Sequence, residues 1–163
     1  MKTLYLLRHA KSSWKNPALA DFDRPLNKRG EKDAPRMADY AFQQGIRPEM
    51  IISSPALRTQ LTAKYFYERL QPGTELLLEP DLYECSPKQL WQVARRFPDE
   101  LQSILLVGHN TCLEDIISEY IEDLDKFPTG ALATLQFDVA SWQNIGAKQG
   151  KLIQLIFPKM LPA

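Results

Sequence analysis

Histidine and cysteine are scarce in this chain, with two of each among 163 residues. Two cysteines, Cys85 and Cys112, make no disulfide framework, and with so few histidines they make a poor transition-metal site. Each is expected to be a buried free thiol, in keeping with a reducing compartment. Neither sign of charge is in excess, since 20 Lys and Arg are set against 20 Asp and Glu. A nucleic-acid or membrane-surface binder is normally basic, so the balance argues against both partners, though it does not exclude a small cationic pocket. No stretch approaches the ~20 apolar residues of a membrane span. Only five residues, TLYLL, separate Lys2 from Arg8, too few for the apolar core of a secretory signal. A cytoplasmic protein is the expectation. Repeats, low-complexity tracts and Gly/Ser/Pro-rich linkers are missing too, the 12 prolines being scattered, so residues 1–163 are read as one domain.

What remains is an ordinary globular composition, 44% apolar and 25% charged. Thr3–Arg8 is a short apolar run with the length and content of a buried strand, and Met50–Ser53, Glu75–Leu78 and Ser103–Gly108 read the same way. Between them fall amphipathic helices. One follows an Asn27 N-cap, with Ala34, Met37, Ala38, Ala41 and Phe42 on its apolar face, and stops near Gly45. The others are read as Pro55–Leu70, Ser86–Phe97 and Thr111–Ile121. Ala131–Val139 and Leu152–Phe157 are two alternating strands joined by a polar link, while Lys11–Leu26 is a polar loop. Strands alternating with helices predict βαβ units and a mainly parallel sheet covered on both faces. The final pair, with no helix between its strands, predicts an antiparallel member and hence a mixed sheet. Ligand sites of such folds lie beyond the carboxyl ends of the strands.

Both histidines occupy that location. His9 ends TLYLLR-His and His109 ends ILLVG-His, so parallel strands would bring them to the same sheet edge. A lone histidine in such a place is usually a satisfied core or surface residue; two at equivalent strand exits point to a site. Arg8 precedes His9, Arg24 lies in the loop DFDRPLN, and Arg58 stands early in the helix after the second strand. Each arginine taken singly is an ordinary surface charge. Three of them on the side of two histidines form a clamp for phosphate or carboxylate, because the planar guanidinium offers paired donors to oxyanions. Ser54 and Pro55 put a helix N-terminus nearby, which also favours an anion.

In these motifs the chain resembles the histidine phosphatase superfamily. RHAKSSW (8–14) resembles its Arg-His-Gly/Ala signature, SSPALRTQLTA (53–63) its second arginine motif, and LLVGHN (105–110) its second histidine motif, all in the family's order. DFDRPLNKRG (21–30) is similar to the loop of the small SixA-type phosphohistidine phosphatases. The resemblance implies an α/β fold, a three-layer αβα sandwich with a mixed, mainly parallel, phosphoglycerate mutase-like sheet. It implies His9 as nucleophile, with Arg8, Arg58 and His109 holding phosphate and Arg24 joining them as the SixA-type arginine. The implied reaction forms a transient phosphohistidine that water hydrolyses, with no cofactor and no metal. The implied partners are a phosphorylated protein or a small phosphorylated substrate, with inorganic phosphate as product, and nothing requires more than a monomer.

The general acid is left open. Glu84 follows the third strand, about where many relatives carry an acidic residue, and reads equally as a surface glutamate. Asp21 and Asp23 are weaker candidates that suit loop capping as well. DFD imitates the Asp-x-Asp of metal-dependent phosphatases, but no hydrophobic strand precedes it and Pro25 follows closely. Neither cysteine has an arginine six positions later, and Walker-type and Gly-x-Ser-x-Gly motifs are missing. Trp14, Trp91 and Trp142 are too dispersed for base stacking and are read as core or rim packing. Two further readings stay open: a small-molecule phosphomonoesterase or mutase-like enzyme, and a phosphate-binding module without catalysis.

Overall fold

The computed structural model describes residues 1–162. One six-stranded sheet organises the chain, in the order β3-β2-β4-β1-β5-β6. Its members are β1 (Lys2–Arg8), β2 (Met50–Ser53), β3 (Leu77–Leu78), β4 (Ser103–Gly108), β5 (Leu132–Phe137) and β6 (Lys151–Ile156). The helices are α1 (Lys28–Gln43), α2 (Leu57–Leu70), α3 (Pro87–Ala94) and α4 (Cys112–Ser118). Strands β1 to β4 pair in parallel, and β5 is antiparallel to both β1 and β6. This is the mixed αβα architecture expected from the alternation of elements.

Two apolar layers explain the sandwich. Successive strand residues point to opposite faces, so Leu4, Leu6, Ile104 and Leu106 pack with α3 and α4, while Leu7, Ile51, Leu105 and Val107 pack with α1 and α2. Burial on both faces is why the central strands read as unbroken apolar runs. The direction of β5 follows from where the chain enters the sheet. The Gly130 N–H donates to the carbonyls of Arg8 and His9, at the C-terminal end of β1. A strand that starts there and stays beside β1 must run backwards, and Leu132 pairs with Leu7 and Phe137 with Lys2.

Several boundaries differ from the sequence expectation. Only Leu77 and Leu78 of the expected third strand pair, both exposed at the sheet edge. Helix α2 begins at Leu57, because Pro55 and Ala56 form the turn before it. Helix α3 ends at Ala94, where Arg96 and Phe97 donate to carbonyls three residues back and tighten the last turn. Helix α4 ends at Ser118, whose hydroxyl bonds the Asp115 carbonyl. Tyr120 and Ile121 continue its apolar stripe outside the helix. The thiols also differ from expectation: both are free, but Cys85 is half-buried and donates to Cys112 across 3.5 Å.

Candidate active site

Parallel pairing of β1 with β4 sets the site, with Arg8 in register with Gly108. One residue further on, the His9 N–H donates to the Gly108 carbonyl at 3.1 Å, and the two imidazole centroids lie 5.3 Å apart. His9 is 6% exposed. Its Nδ1 lies 2.7 Å from the Ala10 carbonyl, which can only accept, so Nδ1 carries the proton of the neutral ring and Nε2 keeps a free lone pair. Burial, followed by the nearby His109, Arg8 and Arg58 charges, pushes the His9 pKa down to about 3 against the bond to Ala10. His109 is pushed to about 4, by burial first and then by Arg58 and Arg8. Its Nε2 lies 2.8 Å from Ser54 Oγ, and its Nδ1 is buried with no partner among the described residues.

The three arginines converge as the sequence reading expects. Arg24 is buried: Nε donates to the Ser13 carbonyl, Nη2 to Ser12 Oγ and Nη1 to Asp21 Oδ1 at 2.9 Å, with the guanidinium 3.2 Å above the Trp14 ring. Arg58, also buried, donates to the Asp21 carbonyl at 2.7 Å and to Asp21 Oδ2 at 2.9 Å. Arg8 donates through Nη1 to the Phe127 carbonyl, and its Nε has no partner among the described residues. The loop that delivers Arg24 is fixed against α1. Asn27 donates its backbone N–H to the Lys11 carbonyl, Ser12 bridges Leu26, and a Cβ on Gly30 would stand 2.1 Å from the Lys11 oxygen. Only glycine admits that approach.

These side chains line an open cavity of about 320 Å³. Arg8, His9, Arg24, Arg58 and His109 all face it, and Glu84 sits exposed at its rim with a left-handed φ of 55°. Asp23 is not part of the lining. Asp21 takes a part that the sequence reading did not assign: besides the two arginines it accepts from the Tyr83 hydroxyl at 2.7 Å. Although partial burial opposes it, the bonds from Tyr83, Arg58 and Arg24 hold its carboxyl down at about 2. Tyr83 is pushed up to about 12, by burial and then by Asp21. Tyr83, which the sequence reading did not name, and Trp14, which it gave to core or rim packing, both line the cavity; adjacency to Glu84 and to the RHAKSS stretch was the available signal. Buried cations around a neutral imidazole with a free nitrogen can hold a phosphoryl group and attack it.

Residues 4–102 match the profile of the histidine phosphatase superfamily, branch 1. The chain belongs to this superfamily. An uncharacterised chloroplastic protein of Arabidopsis thaliana is 33% identical over 171 residues, covering 96% of this chain and 78% of that one. A candidate phosphohistidine phosphatase SixA from Agrobacterium tumefaciens superposes with a TM-score of 0.81 at 32% identity, covering 96% of this chain and 98% of the other. The protein histidine phosphatase SixA complexed with tungstate shares the fold at a TM-score of 0.81 and 21% identity, over 98% of this chain and 99% of its own. Family and fold together make the protein a phosphatase. Among the described residues, no helix is long and apolar enough to cross a membrane.

Proposed function

We propose that the protein hydrolyses phosphohistidine in a phosphoprotein through a covalent intermediate on His9, without a metal ion. The observation that carries this is His9 Nε2, an unprotonated nitrogen at the floor of a pocket walled by Arg8, Arg24, Arg58 and His109. In the first step Nε2 attacks phosphorus; the Nε2–P bond forms as the substrate P–N bond breaks, and its electron pair leaves with the substrate imidazole, which takes up a proton. In the second step water attacks the phosphoenzyme, the Nε2–P bond breaks, and inorganic phosphate leaves with His9 restored. Splitting one displacement into two lowers each barrier. Guanidinium groups spread over the equatorial oxygens supply the charge stabilisation that phosphoryl transfer chiefly needs. His109, held neutral at pH 7 by a pKa pushed to about 4, takes up a proton beside a bound phosphate dianion, which adds a further positive charge.

Three features favour a nitrogen leaving group on a protein. An imidazole, with a conjugate-acid pKa of about 6.5, departs with little help. Asp21 is committed to two arginines and a tyrosine, which leaves exposed Glu84 as the remaining carboxyl acid on the lining. The link from Tyr83 to Ser86 is short, so the mouth stays open to a macromolecule. Glu84 supports a second reading, a phosphomonoesterase for small alkyl phosphates. We propose a monomer that works in a reducing compartment such as the cytoplasm, where Cys85 and Cys112 stay free. A panel of phosphohistidine protein, phosphoramidate, aryl phosphate and alkyl phosphate tests the assignment. The nitrogen-linked substrates should give the highest kcat/KM, and a preference for the alkyl ester would overturn it.

A further inference from the structure

Beside the phosphate pocket lies a second cavity of about 430 Å³ that shares Arg8, Lys11 and Thr129 with it. Its other cations are Arg29, Lys126 and Lys159, and Asp125 is its one acid. The chain as a whole is neutral, so this is a local excess. Arg29 leans on Asp33 at 3.4 Å. Lys11, Lys126 and Lys159 take part in none of the ion pairs among the described residues. The walls are braced. Buried Phe127 donates its N–H to Glu114 and accepts from Arg8 and Asn110. Gly130, at φ +78°, lies so close to Pro158 that a Cβ there would stand 2.9 Å from its ring. Pro128, Phe157 and Pro158 give the cavity an apolar side.

We infer that this cavity is a specificity subsite for acidic side chains that flank the phosphohistidine on the substrate protein. The inference rests on the proposed phosphoprotein reaction and adds the substrate class. Separate lysine tips are mobile point charges that suit dispersed carboxylates, whereas a second phosphate is better met by the bidentate forks of free arginines. The shared wall means that one chain seated on His9 touches both cavities.

The test compares two phosphohistidine peptides that differ only in flanking glutamates or glutamines, assayed on wild type and on Lys126→Glu/Lys159→Glu. Wild type should favour the acidic peptide roughly tenfold in kcat/KM, the scale of a few partly exposed charge pairs, with the ratio shrinking in high salt. In the variant the ratio should fall to about one or invert. A ratio of one in wild type, or a preference that survives the reversal, overturns the inference. If an aryl phosphate is turned over and neither peptide is, the phosphohistidine assignment fails instead. The subsite is then decided by competition: lysine-dependent inhibition of aryl phosphate hydrolysis by the unphosphorylated acidic peptide upholds it, and its absence overturns it. Stronger lysine-dependent inhibition by an alkane bisphosphate than by that peptide would make the ligand a second phosphate, and the acidic-flank inference would be wrong.

Discussion

Lowering the pH from 7 to 5 should destabilise this protein more than its surface charges would suggest, and the cause is the buried histidine pair. His9 and His109 titrate near 3 and 4 when folded, against 6.5 when unfolded. Between these values the unfolded chain binds more protons than the native one, so stability falls as pH falls. The contribution is complete above about pH 6.5 and drains away down to the folded values. By linkage each histidine costs about 2 kcal/mol between pH 7 and 5, a large part of a typical 5–15 kcal/mol total. Asp21 does not confuse the window, since its titration lies between 3.8 and about 2. Urea unfolding at pH 7, 6 and 5 measures the slope in wild type, His9→Asn, His109→Asn and the double variant. Each single variant should recover about half of the pH-dependent loss, and the double variant nearly all of it. Equal slopes in wild type and double variant would refute the argument that burial keeps these rings neutral. On the proposed mechanism the same shift has a catalytic consequence: at pH 5 an imidazole with the ordinary value is mostly protonated and cannot attack, whereas His9 stays neutral.

Other outcomes follow from the same geometry. His9→Ala should abolish turnover while vanadate still binds, measured by calorimetry, and an acid-labile phosphoryl label should appear on wild type alone. Activity should persist in EDTA, because arginines supply the charge; loss of activity restored by magnesium or zinc would contradict this. Glu84→Gln should lower kcat/KM on an alkyl phosphate by about 10²–10⁴-fold, the range of general acid catalysis, and far less on phosphohistidine protein assayed in parallel. Gly30→Ala should cost about 1–3 kcal/mol in urea unfolding and slow turnover, since the new Cβ must push Lys11, two residues from His9, out of place.

The histidine pair was legible because its causes are local and repeated. Two apolar strands each end one residue before a histidine, and parallel pairing turns that likeness into proximity. The arginines were legible for a similar reason: Arg8 ends β1, Arg24 lies in the loop that follows it, and Arg58 stands in the first turn of α2, just after β2. Asp21 was not, because its role is written in long-range contacts from Arg58 and Tyr83, 37 and 62 residues away, and its loop has no periodicity to read. Helix α4 misled in the other direction. Tyr120 and Ile121 keep the apolar spacing although the helix has ended, since packing onto the core needs burial and not helical geometry.

The carboxylate of Asp21 gives the pocket a counter-ion of its own. On the proposed mechanism an arriving phosphoryl group meets Arg24 and Arg58 guanidinium groups that already carry an anion. On that reading the Asp21 pairing offsets part of what the two arginines would gain from free phosphate, and product would leave the more readily for it.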